Sequence, residues 1–370
     1  QCVHDNDQES RYPLATSTWD NAEYRAAVSV LDSGHFTMGA TVRDFEAAFA
    51  ERFGSRYAVM VNSGSSANLL AVAALCYVKQ APLKRGDEVI VPAVSWSTTY
   101  YPWTQYGLTL RFVDVDADTL NLDVNKVADA ITPNTREAMG ACYDGSECGT
   151  FGRCGTFSTF FSHHICTMEG GLIITDDEAL YQTMLSMRAH GWTRDLPAEN
   201  GIENNRGDSF FDSYRFVLPG YNLRPTELQA AIGIEQLHKL DGFLAIRRRN
   251  AEYFLGTIGK IDGLRLQRSP GNSSWFGFSM ILEEHLEGQR GRLVEHLTKA
   301  QIECRPIVAG NFVNNPVVAH LPHTVSGSLH VADTVDSNGL FVGNSQDDLR
   351  SCIDHLQDTL SDFFPMQSTF

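Results

Sequence analysis

The chain has 370 residues, 43% of them hydrophobic, and a formal charge of -16 at pH 7. That length and apolar fraction can fill a large core shared between two domains, while the acidity repels phosphate backbones and argues against nucleic acid as a partner. No apolar run approaches the ~20 residues of a membrane span, and the opening QCVHDNDQESRYPLA, which starts with Gln as a fragment or processed chain does, has no signal-peptide pattern, so a cytoplasmic protein is expected.

Residues 39–53, GATVRDFEAAFAERF, place Val42, Phe45, Phe49 and Phe53 on one face of a helix. Tyr57–Val61 reads as a buried strand that runs into NSGSSANLLAVAALCYV, a turn and then an apolar helix from about Ser65. A strand, turn and helix in this order offer backbone N–H groups and hydroxyls to a phosphate. Ser/Asn capping of a core helix explains the same residues, and both readings stand. Glu88–Ala93 is the next strand, followed by the aromatic loop VSWSTTYYPWTQYG. Trp96, just past the strand end, is placed either to stack on a flat cofactor or simply to pack. With a strand at Leu108–Val113 and a helix at Asn121–Ile131, the alternation predicts an α/β fold whose largely parallel sheet binds ligand at the strand carboxyl ends.

From Thr132 to Gly155 the pattern fails: TPNTREAMGACYDGSECGTFGRCG has no periodic apolar run. A structureless linker this long counts against an intact fold at that point. Cys142, Cys148, Cys154 and Cys166 cluster here, but none has the C-x₂-C spacing of zinc or iron–sulfur ligation, so no metal is expected. With Cys2, Cys76, Cys304 and Cys352 they read as scattered reduced thiols.

Thr156 to Asp176, TFSTFFSHHICTMEGGLIITD, then reads as two apolar strands, Thr156–Phe161 and Leu172–Thr175, around a polar turn. The turn carries His163, His164, Cys166, Glu169 and a Gly-Gly pair. Ionisable groups between buried strands can present chemistry, although a bare histidine pair also suits an ordinary loop. A helix at Asp177–Arg188 leads to AHGWTRDLPAENG, with His190 and Arg194, and to an acidic, Gly/Asn-rich stretch over 195–215 that is expected to be mobile. VLPGYNLRPTELQAAIGIEQLHKL carries Asn222 and a helix entered through Pro225-Thr226. Its continuation to Gly259 bridges from a large domain, 1–240, to a smaller α+β domain, 241–370. Strands at Leu264–Leu266, Trp275–Leu282 and Cys304–Ile307, with helices near 289–300 and 346–363, make up the second domain.

NSGSSAN, PAVSWSTT, FSTFFSHHICTMEGG, AHGWTR, LPGYN-LRP-E and ECRPIV-GNF, in that order, resemble the DegT-type sugar aminotransferase family of pyridoxal-phosphate enzymes over roughly residues 12–365. The resemblance implies an aspartate aminotransferase-like (fold type I) transferase, with a large mixed-sheet domain and a smaller α+β C-terminal domain. Aminotransferases of the family carry a cofactor-bonding lysine six positions before the Glu of the E-G-G turn. Here that Glu is Glu169 and the lysine's position holds His163. Imidazole forms no stable imine, so pyridoxal 5'-phosphate (PLP), or its pyridoxamine form (PMP), would be held noncovalently, as in the dehydratase subgroup.

The resemblance further implies that L-glutamate supplies the amino group and that a nucleotide 4-keto-6-deoxyhexose, inherited as GDP-linked, loses its C3 hydroxyl on the way to a 3,6-dideoxysugar such as colitose. His163 would carry the proton at the cofactor's C4′. Gly64 and Ser65 match the phosphate-binding helix start, Ser158 the hydroxyl beside it, and Trp96 the stacking aromatic. Asn222 matches a loop residue that reaches the neighbouring subunit's phosphate in a homodimer, and His190 and Arg194 match positions near substrate. An iron–sulfur-dependent dehydrase of the same family needs a C-terminal cysteine group that Cys304 and Cys352 alone do not supply. A plain aminotransferase is disfavoured by His163, and a non-catalytic homologue is the reading from another class.

One departure stands out. Family members carry a strand–helix–strand piece of ~30 residues before the Glu-x-Met-Gly-Ala segment, and it ends in an acidic motif whose Asp pairs with the pyridine nitrogen. In this chain TPNTR runs directly into EAMGA. Glu137 is kept as a cofactor-side residue, and Asn134 stands three residues before it, where the Asp belongs. The motifs kept on both sides speak for a segment lost from the sequence rather than a degenerate site.

Overall fold

The computed structural model describes residues 10–138, 149–197, 199–203 and 207–364, with the side chains of residues 136–138 and 209 outside that description. Helices α1 (Asn21–Ser33) and α2 (Ala40–Arg52) precede β1 (Tyr57–Val61), which turns directly into α3 (Gly64–Tyr77). Next come β2 (Glu88–Pro92), α4 (Tyr101–Gln105), β3 (Thr109–Val113), α5 (Val124–Ala130) and β4 (Thr135–Ala138). They are followed by β5 (Gly155–Ser158), β6 (Gly171–Thr175), α6 (Glu178–Arg188), the single turn α7 (Ser209–Asp212) and the long α8 (Glu227–Ile258). The C-terminal part holds β7 (Leu264–Leu266), β8 (Gly277–Leu282), α9 (Arg290–Lys299) and β9 (Cys304–Arg305). It ends with β10 (His323–Val325), α10 (His330–Asn338), β11 (Gly339–Gly343) and α11 (Arg350–Phe363).

The strands form three sheets. In the first, ordered β1-β6-β5, β6 runs antiparallel to both neighbours. In the second, ordered β10-β3-β2-β4, every pair is parallel. Strands β1 (YAVMV) and β6 (GLIIT) are apolar on both faces because helices cover both. Helix α3 packs on Val59, Val61 and Ile173 of one sheet and on Val89, Val91, Leu110 and Phe112 of the other, so a single core underlies both. They form one layer in two pieces. Among the described residues no strand pairs β5, the last strand of one piece, with β4, the last of the other.

The opposite faces differ. Against β1 and β6 lie α2 and α8, through Phe45, Phe49, Ala58, Met60, Leu172, Ile174 and Ala230. Against β2 and β3, among the described residues, lies a small cluster of Ile90, Val113, Leu122 and Ala130 under α5.

The third sheet, β7-β8-β11-β9, is antiparallel throughout and packs with α8, α9 and α11 in a core of its own. Tyr12 lies in this core, its hydroxyl donating to the Gly343 carbonyl at 3.0 Å. Helix α8 runs through residue 240: Leu240 packs in the core beside β1, Phe254 and Ile258 in the core beside β8. A further tie is Asp114, fully buried past the end of β3. Its carboxylate accepts the Val331 and Ala332 amides in the first turn of α10 and the Lys126 ammonium.

Several boundaries shift for local reasons. Helix α5 starts at Val124 because Asp123 caps it by accepting the Asn125 amide. Strand β8 starts at Gly277, after Trp275 leaves the extended region with φ of 49°. Strand β9 stops at Arg305, before Pro306, which has no N–H to donate. Cys76, Cys154, Cys166, Cys304 and Cys352 are free thiols, while Cys2, Cys142 and Cys148 lie outside the described residues. Among those residues no helix is long and apolar enough to cross a membrane.

Candidate active site at the carboxyl ends of the strands

The start of α3 is an anion site in the making. Ser63 caps the helix by accepting the Ser66 amide at 3.1 Å, and the Ala67 amide bonds the Ser63 carbonyl. The Gly64 and Ser65 amides remain the helix's outward donors. Glycine is required at 64 by contact: a Cβ there would lie 2.5 Å from Cβ of Ser158. The hydroxyl-bearing end of β5 can therefore rest against the helix start, where Ser158 Oγ accepts the Phe160 amide at 3.3 Å. From the other side Ser65 Oγ donates to Thr98 Oγ1 at 3.1 Å, and Asn68 Nδ2 to the Thr98 carbonyl at 3.1 Å. Thr98 was not among the sequence candidates; its signal was the Ser-Thr-Thr run after Trp96. The Trp96 side chain is 59% exposed. Gly64, Ser65, Ser158 and the Trp96 loop thus meet at the helix start.

The turn between β5 and β6 is held from several sides. Thr159 and Thr167 share a hydroxyl hydrogen bond of 2.5 Å, and Thr167 Oγ1 also donates to the Glu169 carbonyl at 2.9 Å. That carbonyl accepts Gln229 Nε2 of α8 at 2.6 Å, while Gln236 Oε1 accepts the Cys166 amide at 2.9 Å. Trp19 Nε1 donates to the Cys166 carbonyl at 2.9 Å. Inside this frame the imidazoles of His163 and His164 pack on the Phe276 ring at centroid distances of 5.3 and 6.4 Å. His163 Nδ1 and His164 Nε2 are buried without a hydrogen-bond partner.

Burial pushes the His163 imidazole below its ordinary value, partly offset by the Phe160 carbonyl, with the Arg247 guanidinium adding a smaller push in the same direction as burial. Burial, Arg247 and His163 push His164 down to about 3. Both rings are neutral near pH 7, the form in which imidazole accepts a proton. The chain has no lysine between Lys126 and Lys239, and so none in this turn.

His190, Arg194 and Asn222 form a second group on two crossed loops. The His190 amide donates to the Tyr221 carbonyl at 2.6 Å, and Ala189 bridges Asn222. A Cβ on Gly191 would sit 1.6 Å from the Leu218 carbonyl oxygen, so only glycine permits this crossing. The His190 ring lies 5.2 Å from that of Trp192, and the Arg194 guanidinium 4.1 Å above the same indole. Arg224 Nε donates to Asn222 Oδ1 at 3.0 Å. The Asn62 amide, two residues before Gly64, donates to the Leu223 carbonyl at 3.0 Å and ties this group to the helix start.

The remaining positions fall elsewhere. Glu137 lies on β4, its backbone pairs with Val89 of β2, and its side chain lies outside the described residues. Asn134 is a correction to the sequence reading. Its carbonyl accepts the Glu88 amide at 3.0 Å, at the amino end of β2. Four residues of strand, ~13 Å at the usual rise, separate that end from the one leading to Trp96. Asn134 therefore does not stand where the family's Asp faces the pyridine nitrogen. The outward amides, the Ser158 hydroxyl, an exposed indole and a neutral imidazole fit a phosphate-bearing aromatic cofactor on one side; no described residue supplies the acid expected on the other.

Comparison with known proteins agrees. A family model for the DegT/DnrJ/EryC1/StrS aminotransferase family matches residues 18–137 and 136–347. The GDP-4-keto-6-deoxy-D-mannose 3-dehydratase of Escherichia coli O55:H7 is 50% identical over 384 aligned positions, covering 94% of this chain and 99% of that protein. Since 94% of 370 residues is about 348, about 36 of the 384 positions have no residue here. The family match breaks at 136–137, where the sequence pattern fails.

The solved structure of the E. coli GDP-4-keto-6-deoxy-D-mannose-3-dehydratase with bound hydrated PLP has a TM-score of 0.92 at 49% identity, covering 95% of this chain and 100% of that one. A structure of GDP-4-keto-6-deoxymannose-3-dehydratase with a trapped PLP-glutamate geminal diamine has a TM-score of 0.91 at 49% identity, covering 94% and 100%. The chain belongs to the DegT/DnrJ/EryC1/StrS aminotransferase family, with the fold type I architecture.

Proposed function

We propose that this chain is a PLP/PMP-dependent sugar-nucleotide 3-dehydratase that removes the C3 hydroxyl of a GDP-linked 4-keto-6-deoxyhexose, with L-glutamate as amino donor. The observation that carries this reading is His163, six residues before Glu169, in a stretch without lysine from 127 to 238. A side chain that cannot bond the cofactor covalently leaves it free to cycle between its two forms. When bound, the cofactor supplies an electron sink next to the sugar's C4.

The chain's own residues do the rest. The Gly64 and Ser65 amides and the Ser158 hydroxyl hold the phosphate, and the indole of Trp96 covers one face of the ring. His163 takes the proton at C4′, and the imidazolium so formed is a proton donor for the departing C3 hydroxyl. The Phe276 ring packs against the His163 imidazole, with centroids 5.3 Å apart, and backs one side of it. His190 and Arg194 meet the anionic groups of glutamate or the sugar nucleotide. Asn222 reaches the phosphate of a second subunit, which makes the working unit a homodimer.

The test is to add PLP and then L-glutamate to the purified chain and follow absorbance. Passage from the pyridoxal to the pyridoxamine band, then ammonia release with GDP-4-keto-6-deoxy-D-mannose, is expected. A chain that binds no chromophore would sink the reading. The interrupted sheet favours a second reading, a homologue that holds cofactor without turnover; it predicts the band shift without ammonia.

A further inference from the structure

The RRR run at 247–249 reads in sequence as a solvated helix face. One of the three turns inward. Arg247 is 2% exposed, and among the described residues it has no carboxylate partner. Its Nη1 donates instead to the carbonyls of Trp275 at 3.2 Å and Phe276 at 3.5 Å. Asn344 Nδ2 donates to the same Trp275 carbonyl at 2.8 Å and to the Arg247 carbonyl at 3.2 Å. One turn further along α8, Asn250 holds Asn344 Oδ1 at 3.1 Å.

All of this converges on a backbone that needs holding. Trp275 has φ of 49°, a strained value for a bulky residue that persists only when its surroundings fix it. The next residue, Phe276, is the wall on which both imidazoles pack. The geometry points to Arg247 as a positioning residue for His163, acting through the Trp275 and Phe276 carbonyls to set the aromatic wall behind the imidazole.

This inference rests on the proposed role of His163 for its catalytic meaning, though not for its structural content. Arg247 also discourages protonation of the imidazoles it backs. The other groups facing His163 are His164 and Phe160 from its own turn and Phe276 from the segment entering β8, and of these only His164 is titratable.

Hydrogen–deuterium exchange on the cofactor-free full chain tests the structural link, with Arg247→Met, Arg247→Lys and the exposed-site control Arg249→Gln. Arg247→Met is expected to raise exchange at least several-fold in peptides covering 273–277 and also 160–165. Arg247→Lys should recover part of that protection, and Arg249→Gln should match wild type. Exchange raised only in 273–277, or raised equally across all peptides, would overturn the link to the histidine turn.

Steady-state kinetics supply the second readout. Arg247→Met should lower kcat about 10-fold or more, with the acid limb of its pH profile moved toward higher pH and PLP affinity within about 3-fold of wild type. Unchanged kcat and pH profile, in an active wild type, would overturn positioning. Inactivity of the wild type itself would count against the dehydratase reading and leave the exchange result to decide the link.

Discussion

The two pieces of the central layer carry unequal shares of the site. In the β1-β6-β5 piece, both faces of β1 and β6 are covered, by α3 on one side and α2 with α8 on the other. The turn it presents is tied by Thr159, Thr167, Gln229, Gln236 and Trp19. In the β10-β3-β2-β4 piece, the face under α5 buries four residues, and Val124 and Ile131 at the helix ends are 66% and 63% exposed. Among the described residues its last strand, β4, pairs with β2 alone, and the family match divides at 136–137, within that strand. The proposed phosphate anchor and the proposed base lie on the finished piece, and the acid that the family resemblance implies for the ring nitrogen would lie on the unfinished one. Binding and proton transfer can thus persist where electron withdrawal is weakened.

The sharpest test of the finished piece is His163→Asn. Loss of a positioned general base costs about 10²- to 10⁴-fold, so ammonia release should fall by that factor while PMP still binds. Turnover at the wild-type level would move the base elsewhere. The unfinished piece is tested by insertion. Placing the E. coli relative's intervening segment between Arg136 and Glu137 should pair the β4 edge and return an acid to the ring nitrogen. A hydrogen bond to a charged group is worth about 1.5–3 kcal/mol, so kcat should rise about 10- to 100-fold, with a higher unfolding midpoint. An insert that leaves both unchanged would mean that the two pieces do not depend on each other.

Legibility from sequence followed the same division. The face of α2, the start of α3 and the His163–Glu169 turn were readable because their residue types are tied to local requirements: helical spacing, a glycine contact at Gly64 and a turn between apolar runs. Helix α1 was missed although Asp20 and Glu23 form its capping box, since its exposed face carries Tyr24, Val28 and Leu31 and blurs the apolar period. Strand β10 is three residues long and depends on pairing with β3 far back in the chain. Arg247 and Asn134 could not be placed by pattern at all. Whether one arginine of three turns inward, or which end of a strand an asparagine meets, is decided by tertiary packing.

A smaller effect probes how the pieces share the helix start. Ser65 lies on α3 under the β1 side, while its partner Thr98 follows β2. Thr98→Val removes that hydroxyl at nearly constant volume. An ordinary hydrogen bond contributes about 0.5–1.5 kcal/mol, so PLP affinity should weaken about 2- to 10-fold with kcat little changed. A PLP titration with no change would show that Ser65 orients without Thr98.

The smallest effect is on stability, and its sign follows from the buried imidazoles. In the unfolded chain His163 and His164 protonate near 6.5; in the folded chain both are pushed down, His164 to about 3. Below pH 6.5 the unfolded state therefore binds more protons, and stability falls as pH falls. The contribution is complete above 6.5 and is lost as pH drops toward the folded-state values. Each such proton gives a slope of about 1.4 kcal/mol per pH unit. Urea unfolding at pH 6.5, 5.75 and 5.0 stays above most carboxylate titration, so the histidines dominate the window. His164→Gln should flatten the dependence by about one proton relative to wild type. Equal slopes would mean that water reaches the histidine turn, and with it that the β1-β6-β5 piece is no better closed than its neighbour.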